Sequence, residues 1–135
     1  MRLSWKNLSL AFAAGSLGGL LKGLVAWFCG AVGFNALLGS HLAPALTPLW
    51  VYQHMVWGGI WALLFFLPLK GISYSSLGII YSLPQTLVSL LVLMPRLGSG
   101  LLGLHLGHAT PLLIFLFSLV WGVSTGTWLK WSRES

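Results

Sequence analysis

The stretch Leu8–Phe34, LSLAFAAGSLGGLLKGLVAWFCGAVGF, contains a single charged residue, Lys22. A helix of about 20 apolar residues crosses the hydrocarbon core of a bilayer, so the stretch reads as a membrane span. Lys22 lies well inside it. A cation in hydrocarbon costs roughly 3 kcal/mol on insertion scales and more in simulations. Gly15, Gly19 and Gly23 recur at every fourth position of the same helix, where small residues let a second helix approach closely. Glu134, at the far C-terminus, is the only acidic residue of the chain. A charged Lys22 therefore needs a partner from elsewhere: a lipid headgroup, a bound anion, a second protein or water.

The rest of the chain agrees with this reading. Of 135 residues, 57% are hydrophobic and 6% charged, and the mean hydropathy is +0.90. A soluble domain is about 25% charged, so the chain belongs in a bilayer. The formal charge of +6 comes from residues that mostly flank apolar runs, which indicates topology and contact with anionic lipid rather than nucleic acid. Cys29 is the only cysteine, so no intrachain disulfide forms, and packing is its expected role. Ala11-Phe12-Ala13 has the shape of a signal-peptide cleavage site, but the apolar run before it falls short of the roughly 7–15 residues required.

Three further runs qualify as spans: about Trp50 to Leu69, ending at Pro68 and Lys70; about Ser75 to Met94, ended by Pro95 and Arg96; and Pro111 to Leu129. Positive-inside orientation then puts both termini in the cytoplasm, with Arg2, Lys6, Lys70, Lys130 and Arg133 inside and only Arg96 outside. Trp5, Tyr74, Trp128 and Trp131 form an inner aromatic belt, Trp50 and Tyr52 an outer one. The outer connections, Asn35 to Leu49 and Leu97 to Thr110, are apolar and nearly uncharged. They read as interfacial or re-entrant segments, which survive at membrane depth only where protein covers their backbone.

These connections resemble each other. Leu37-Leu38-Gly39-Ser40-His41-Leu42 matches Leu101-Leu102-Gly103-Leu104-His105-Leu106 at five of six positions, at an offset of 64. Thr47-Pro48-Leu49 matches Thr110-Pro111-Leu112 at 63, and Val56-Trp57-Gly58 matches Val120-Trp121-Gly122 at 64. The expected fold is all-α: one polytopic membrane domain over residues 1–135, with four transmembrane helices in two tandem parallel hairpin repeats, about 8–69 and 75–130. Parallel repeats are related by an axis along the membrane normal, so the outer segments should meet around it. Gln85 lies nearly equivalent to Lys22, beside Pro84, which frees a carbonyl in the preceding turn.

The expected site follows from that placement. Lys22 supplies charge for an anionic ligand or lipid, and Gln85, Thr86 and Asn35 supply hydrogen bonds; snorkelling of Lys22 to an interface is the plain alternative. Gly15, Gly19, Gly23, Trp57, Gly58, Trp121 and Gly122 are expected to pack helices, within or between chains. His41, His105 and His108 are the only metal candidates; with no carboxylate or thiol nearby, no metal is assigned. No acid–base dyad is possible with one terminal carboxylate, so no catalytic residue is assigned and a non-enzymatic protein is expected. No cofactor is expected beyond bound lipid. Expected partners are membrane lipids together with either further copies of the chain or a larger membrane complex in which it is an accessory or assembly subunit. A haem- or quinone-binding redox protein is a third reading.

Gly15 to Gly23, Val56 to Trp61 (a V-W-G-G-x-W pattern) and Thr110 to Leu112 together resemble a family of small four-span bacterial inner-membrane proteins. The resemblance implies a multi-pass inner-membrane location and a four-helix fold, and no activity is attached to it.

Overall fold

The computed structural model describes residues 4–44, 46–67, 71–96, 98 and 100–134, with the backbone alone at 105, 133 and 134. Every regular element among them is helical. Helix α1 spans Trp5–Ala31 and begins where the Ser4 hydroxyl accepts the Asn7 N–H at 3.2 Å, covering a donor the first turn leaves open. After Gly33, whose φ of 82° suits glycine, comes the single turn α2, Phe34–Leu37. Helix α3, Pro48–Trp61, is capped by Thr47 on Trp50 N–H (3.2 Å) and opens on a proline that needs no donor there; it tightens into a 3-10 turn over Ala62–Phe66. Helix α4, Tyr74–Val88, runs through a π-helical turn at Ser89–Leu93 into α5, Met94–Arg96. A 3-10 segment, Leu101–Leu106, leads to α6, Thr110–Glu134.

Four helical stretches are long and apolar enough to cross a membrane: Trp5–Ala31, Pro48–Phe66, Tyr74–Arg96 and Thr110–Ser132. The third span ends at Arg96, in line with the expected stop at Pro95 and Arg96, after a π turn in which Met94 N–H bonds to Ser89 O, five residues back. One boundary differs: the last helix runs on past Leu129 to Glu134. Arg2, Pro68, Leu69, Lys70 and Leu97 lie outside the described residues.

The arrangement of side chains is that of a protein solvated by lipid. On α4 the buried face carries Tyr81, Ser82, Gln85 and Thr86, followed by Ser89 in the π turn, while Ile79, Ile80, Leu83, Leu87 and Leu91 are exposed. In water such a surface would be an aggregation site. In hydrocarbon, apolar residues outside and hydroxyls and amides between helices is the favourable order. The hydroxyls are largely satisfied within their own helix: Thr86 donates to Ser82 O at 2.7 Å and Ser89 to Gln85 O at 2.9 Å.

Two helix pairs dominate the packing, α1 on α3 and α4 on α6, and α1 also packs along α6. Glycine sits at the contact in both pairs. A Cβ on Gly15 would overlap Gly58 O, and one on Gly58 would overlap Gly15 O; Gly78 and Gly122 block each other in the same way. Gly15 and Gly78 are 63 residues apart, Gly58 and Gly122 are 64 apart. The glycine stripe of α1 is therefore used inside the chain, with Gly19 against the His54 carbonyl. Between the pairs, Trp121 is fully buried beside Gly18 and donates its indole N–H to Gly58 O at 3.1 Å.

Candidate functional site

Lys22 lies nine residues before Ala31, the end of α1, which at 1.5 Å per residue is about 13 Å. It is therefore nearer the end of the bundle that carries the two long connections. Its side chain is partly buried, and Nζ donates to Gln85 Oε1 at 3.2 Å, from α1 to α4. Gln85 is 3% exposed, so the acceptor belongs to the interior of the bundle. An ammonium carries three donors, and the amide oxygen takes one.

Lys22 faces a cavity of about 270 Å³. Lys22 and Ala26 of α1 form one wall and Trp50 and His54 of α3 another; Ser89 and Met94 lie opposite, and Ile114 and Phe117 of α6 complete the lining. Leu42, Pro44 and Leu106 from the two connections cover it. His54 Nδ1 bonds to Trp50 O at 2.9 Å. A carbonyl can only accept, so Nδ1 carries the hydrogen, and in the neutral ring Nε2 keeps its lone pair. The two rings are stacked obliquely, 4.2 Å between centroids.

The connections that cover the cavity are joined to each other. His41 N–H donates to Leu106 O, and the Ser40 and Thr110 hydroxyls share a hydrogen bond of 2.6 Å. Gly107, at φ 132°, lies so close to Gly39 that a Cβ would overlap the Gly39 carbonyl. Leu102 adopts φ 59° and ψ 12°, a left-handed conformation that costs an L residue roughly 1–2 kcal/mol. Its packing against Leu90, Met94 and Ile114 holds it there.

Of the expected ligand-binding residues, Lys22 and Gln85 come together and the other two go elsewhere. Thr86 Oγ1 is committed to Ser82 O in its own helix. Asn35, 1% exposed, donates to Leu42 O at 2.8 Å and ties α2 to the connection; its Oδ1 is buried with no partner among the described residues. Among the packing residues, Trp121 is buried but Trp57 is 59% exposed and does not pack between helices. Trp50, near the start of α3, lines the cavity. His41 and His108 are exposed, and the backbone break at Gly107 separates His105 from His108, so they do not share a helical turn. The His105 side chain is outside the described residues. No group of three or more His, Cys, Asp or Glu that could hold a metal occurs among the described residues. Cys29 packs partly buried beside Ala26, Leu113 and Phe117.

Sequence reasoning missed His54, Trp50 and Ser89. A signal existed for each. Trp50, His54, Trp57 and Trp61 are spaced as one stripe on a helix, and Ser89 stands 63 residues after Ala26, in the same register as Gln85 after Lys22. Comparison with family models, with curated proteins and with solved structures finds no match, so the family resemblance rests on its three motifs.

Proposed function

We propose that this chain is a non-enzymatic integral membrane protein that binds an anionic group in the cavity beside Lys22. The observation that carries this reading is the Lys22–Gln85 hydrogen bond at the edge of a cavity, in a chain whose only carboxylic side chain is that of Glu134. Lys22 supplies the attraction. Gln85 positions the amine, and His54 Nε2 can accept a hydrogen bond from a hydroxyl of the bound anionic group. An anion entering here meets a cation with no competing carboxylate, in a medium where charge interactions are far stronger than in water.

The architecture behind the site is a duplicated hairpin. The paired glycines at offsets of 63 and 64 and the Lys22–Gln85 bond fall on equivalent positions, and the two connections meet. The cavity lies on the axis that would relate the halves, since Ala26 and Ser89, Leu42 and Leu106, and Trp50 and Ile114 are matched pairs on its walls. The charge distribution supports an orientation with both termini cytoplasmic, and the motif resemblance supports a bacterial inner-membrane location. In a Cys29→Ser background, an impermeant thiol reagent should label His41→Cys on intact cells and Ser4→Cys only after permeabilisation; the reverse pattern would invert the orientation.

The binding reading is tested by native mass spectrometry of protein released from mild detergent. Wild type and Lys22→Arg should each retain an anionic adduct, and Lys22→Met should lose it while staying folded by circular dichroism. Equal retention by Lys22→Met would remove the proposal. The accessory-subunit reading draws no support from the glycine stripe of α1, which packs within the chain.

A further inference from the structure

The two halves of the bundle are not closed symmetrically. Helix α1 packs along α6, yet the corresponding pair, α3 and α4, does not pack along its length. The second span touches α4 through its 3-10 turn, where Phe65 stacks edge-on against Tyr81 with 5.0 Å between centroids. That contact lies at the end of the bundle carrying the termini. Towards the other end α3 and α4 diverge, and the cavity occupies the space between them, with Trp50 and His54 on one side and Ser89 and Met94 on the other.

The tryptophans show why. Trp57 and Trp121 are 64 residues apart and equivalent in register. Only one indole fits at the centre, beneath Gly58. Trp121 takes that place at 0% exposure, while Trp57 stays outside at 59%. Residues of the connections, α1 and α6 line the cavity, while α3 and α4 are the pair that does not pack along its length, which makes the α3–α4 cleft the candidate route.

From this wedge, and resting on the anion-binding reading above, we infer that the ligand is an anionic membrane lipid that reaches the site sideways from the bilayer. Its headgroup lies beside Lys22 and His54, and an acyl chain passes out between α3 and α4 across Trp57. Charge and polarity are matched at both ends. A water-soluble anion would find a roof of leucine and proline in its way and an apolar wall around it. A lipid leaves its chain in hydrocarbon throughout and desolvates only the headgroup. A cavity of about 270 Å³ is at the small end for a binding pocket, which suits a headgroup and not a whole lipid.

The test uses the full chain in phosphatidylcholine nanodiscs doped with phosphatidylglycerol that carries a photoactivatable diazirine in its acyl chain. Crosslinks should concentrate on Pro48–Trp61 and on the Tyr74–Arg96 helix. Unlabelled phosphatidylglycerol should abolish them, and extra phosphatidylcholine should not. Lys22→Arg should keep the pattern and Lys22→Met should lose it; if Lys22→Met does not fold, the competition on wild type decides. Labelling spread evenly over four helices, or indifferent to phosphatidylglycerol, would overturn the inference. Glycerol 3-phosphate added from water distinguishes the two readings. If it binds and depends on Lys22 while the lipid pattern is absent, the sideways route fails and anion binding stands. If neither probe depends on Lys22, both fail.

Discussion

At the residue scale the bundle distinguishes side chains that look alike in the sequence. Trp57 and Trp121 share the motif Val-Trp-Gly and the same register, yet one faces outward and the other is the centre of the core. Trp121→Phe removes the indole bond to Gly58 O and leaves a void beside Gly18; the expected loss is about 1–3 kcal/mol, combining a hydrogen bond between membrane helices with part of a large-to-small penalty. Trp57→Phe should cost under about 0.5 kcal/mol, as a surface change does. Unfolding in mixed detergent and dodecyl sulfate measures both, and equal losses would place the two indoles in equivalent environments. Sequence reasoning located Lys22 and Gln85 because the repeat offset puts them at one level. It could not separate Thr86 and Asn35 from the site, because the choice between a ligand and a helix carbonyl is made by a rotamer. Thr86 bonds to Ser82 O and Asn35 to Leu42 O, and neither bond leaves a mark in residue spacing.

At the element scale the glycines carry a graded prediction. A Cβ on Gly15 would meet Ala62 Cβ at 2.5 Å and overlap the Gly58 carbonyl, and one on Gly19 would overlap the His54 carbonyl. These contacts are to backbone or to a buried methyl, which cannot swing aside. A Cβ on Gly23 would meet the Trp50 ring at 3.4 Å and His54 Cγ at 3.5 Å, ordinary contacts. Gly15→Ala and Gly19→Ala should each cost about 1–3 kcal/mol by overpacking. Gly23→Ala should be neutral or slightly stabilising, since alanine is the better helix former by about 1 kcal/mol. Thermal melts of the detergent-solubilised variants check the series, and uniform losses along the stripe would contradict the geometry. The stripe itself was legible at every fourth residue; its partner was not, because small-residue spacing is the same for contacts within and between chains. The expected starts, Leu8 and about Trp50, fall a few residues inside Trp5 and Pro48, because the caps at Ser4 and Thr47 carry no hydropathy signal. Pro95 and Arg96 mark the end of the third span, but no local sequence rule announces the π turn before them.

At the scale of the whole molecule, four apolar helices pack around a largely apolar core, and Lys22 and Gln85 join α1 to α4 nearer the end that carries the connections. The number of spans and the meeting of the two connections follow from hydropathy and from the repeated hexapeptide. The different fates of Trp121 and Trp57, one buried and one exposed, do not, because the shared Val-Trp-Gly motif does not say which indole is buried. The binding proposal depends on the amine of Lys22 lying inside the bundle and not at a lipid–water boundary. Solid-state NMR of protein in lipid, labelled with 15N on lysine side chains and 13C on glutamine, measures that placement. A through-space correlation between a lysine Nζ and a glutamine Cδ should be present and should vanish in Gln85→Leu. No such correlation, with every lysine amine exchanging freely with water, would contradict the account.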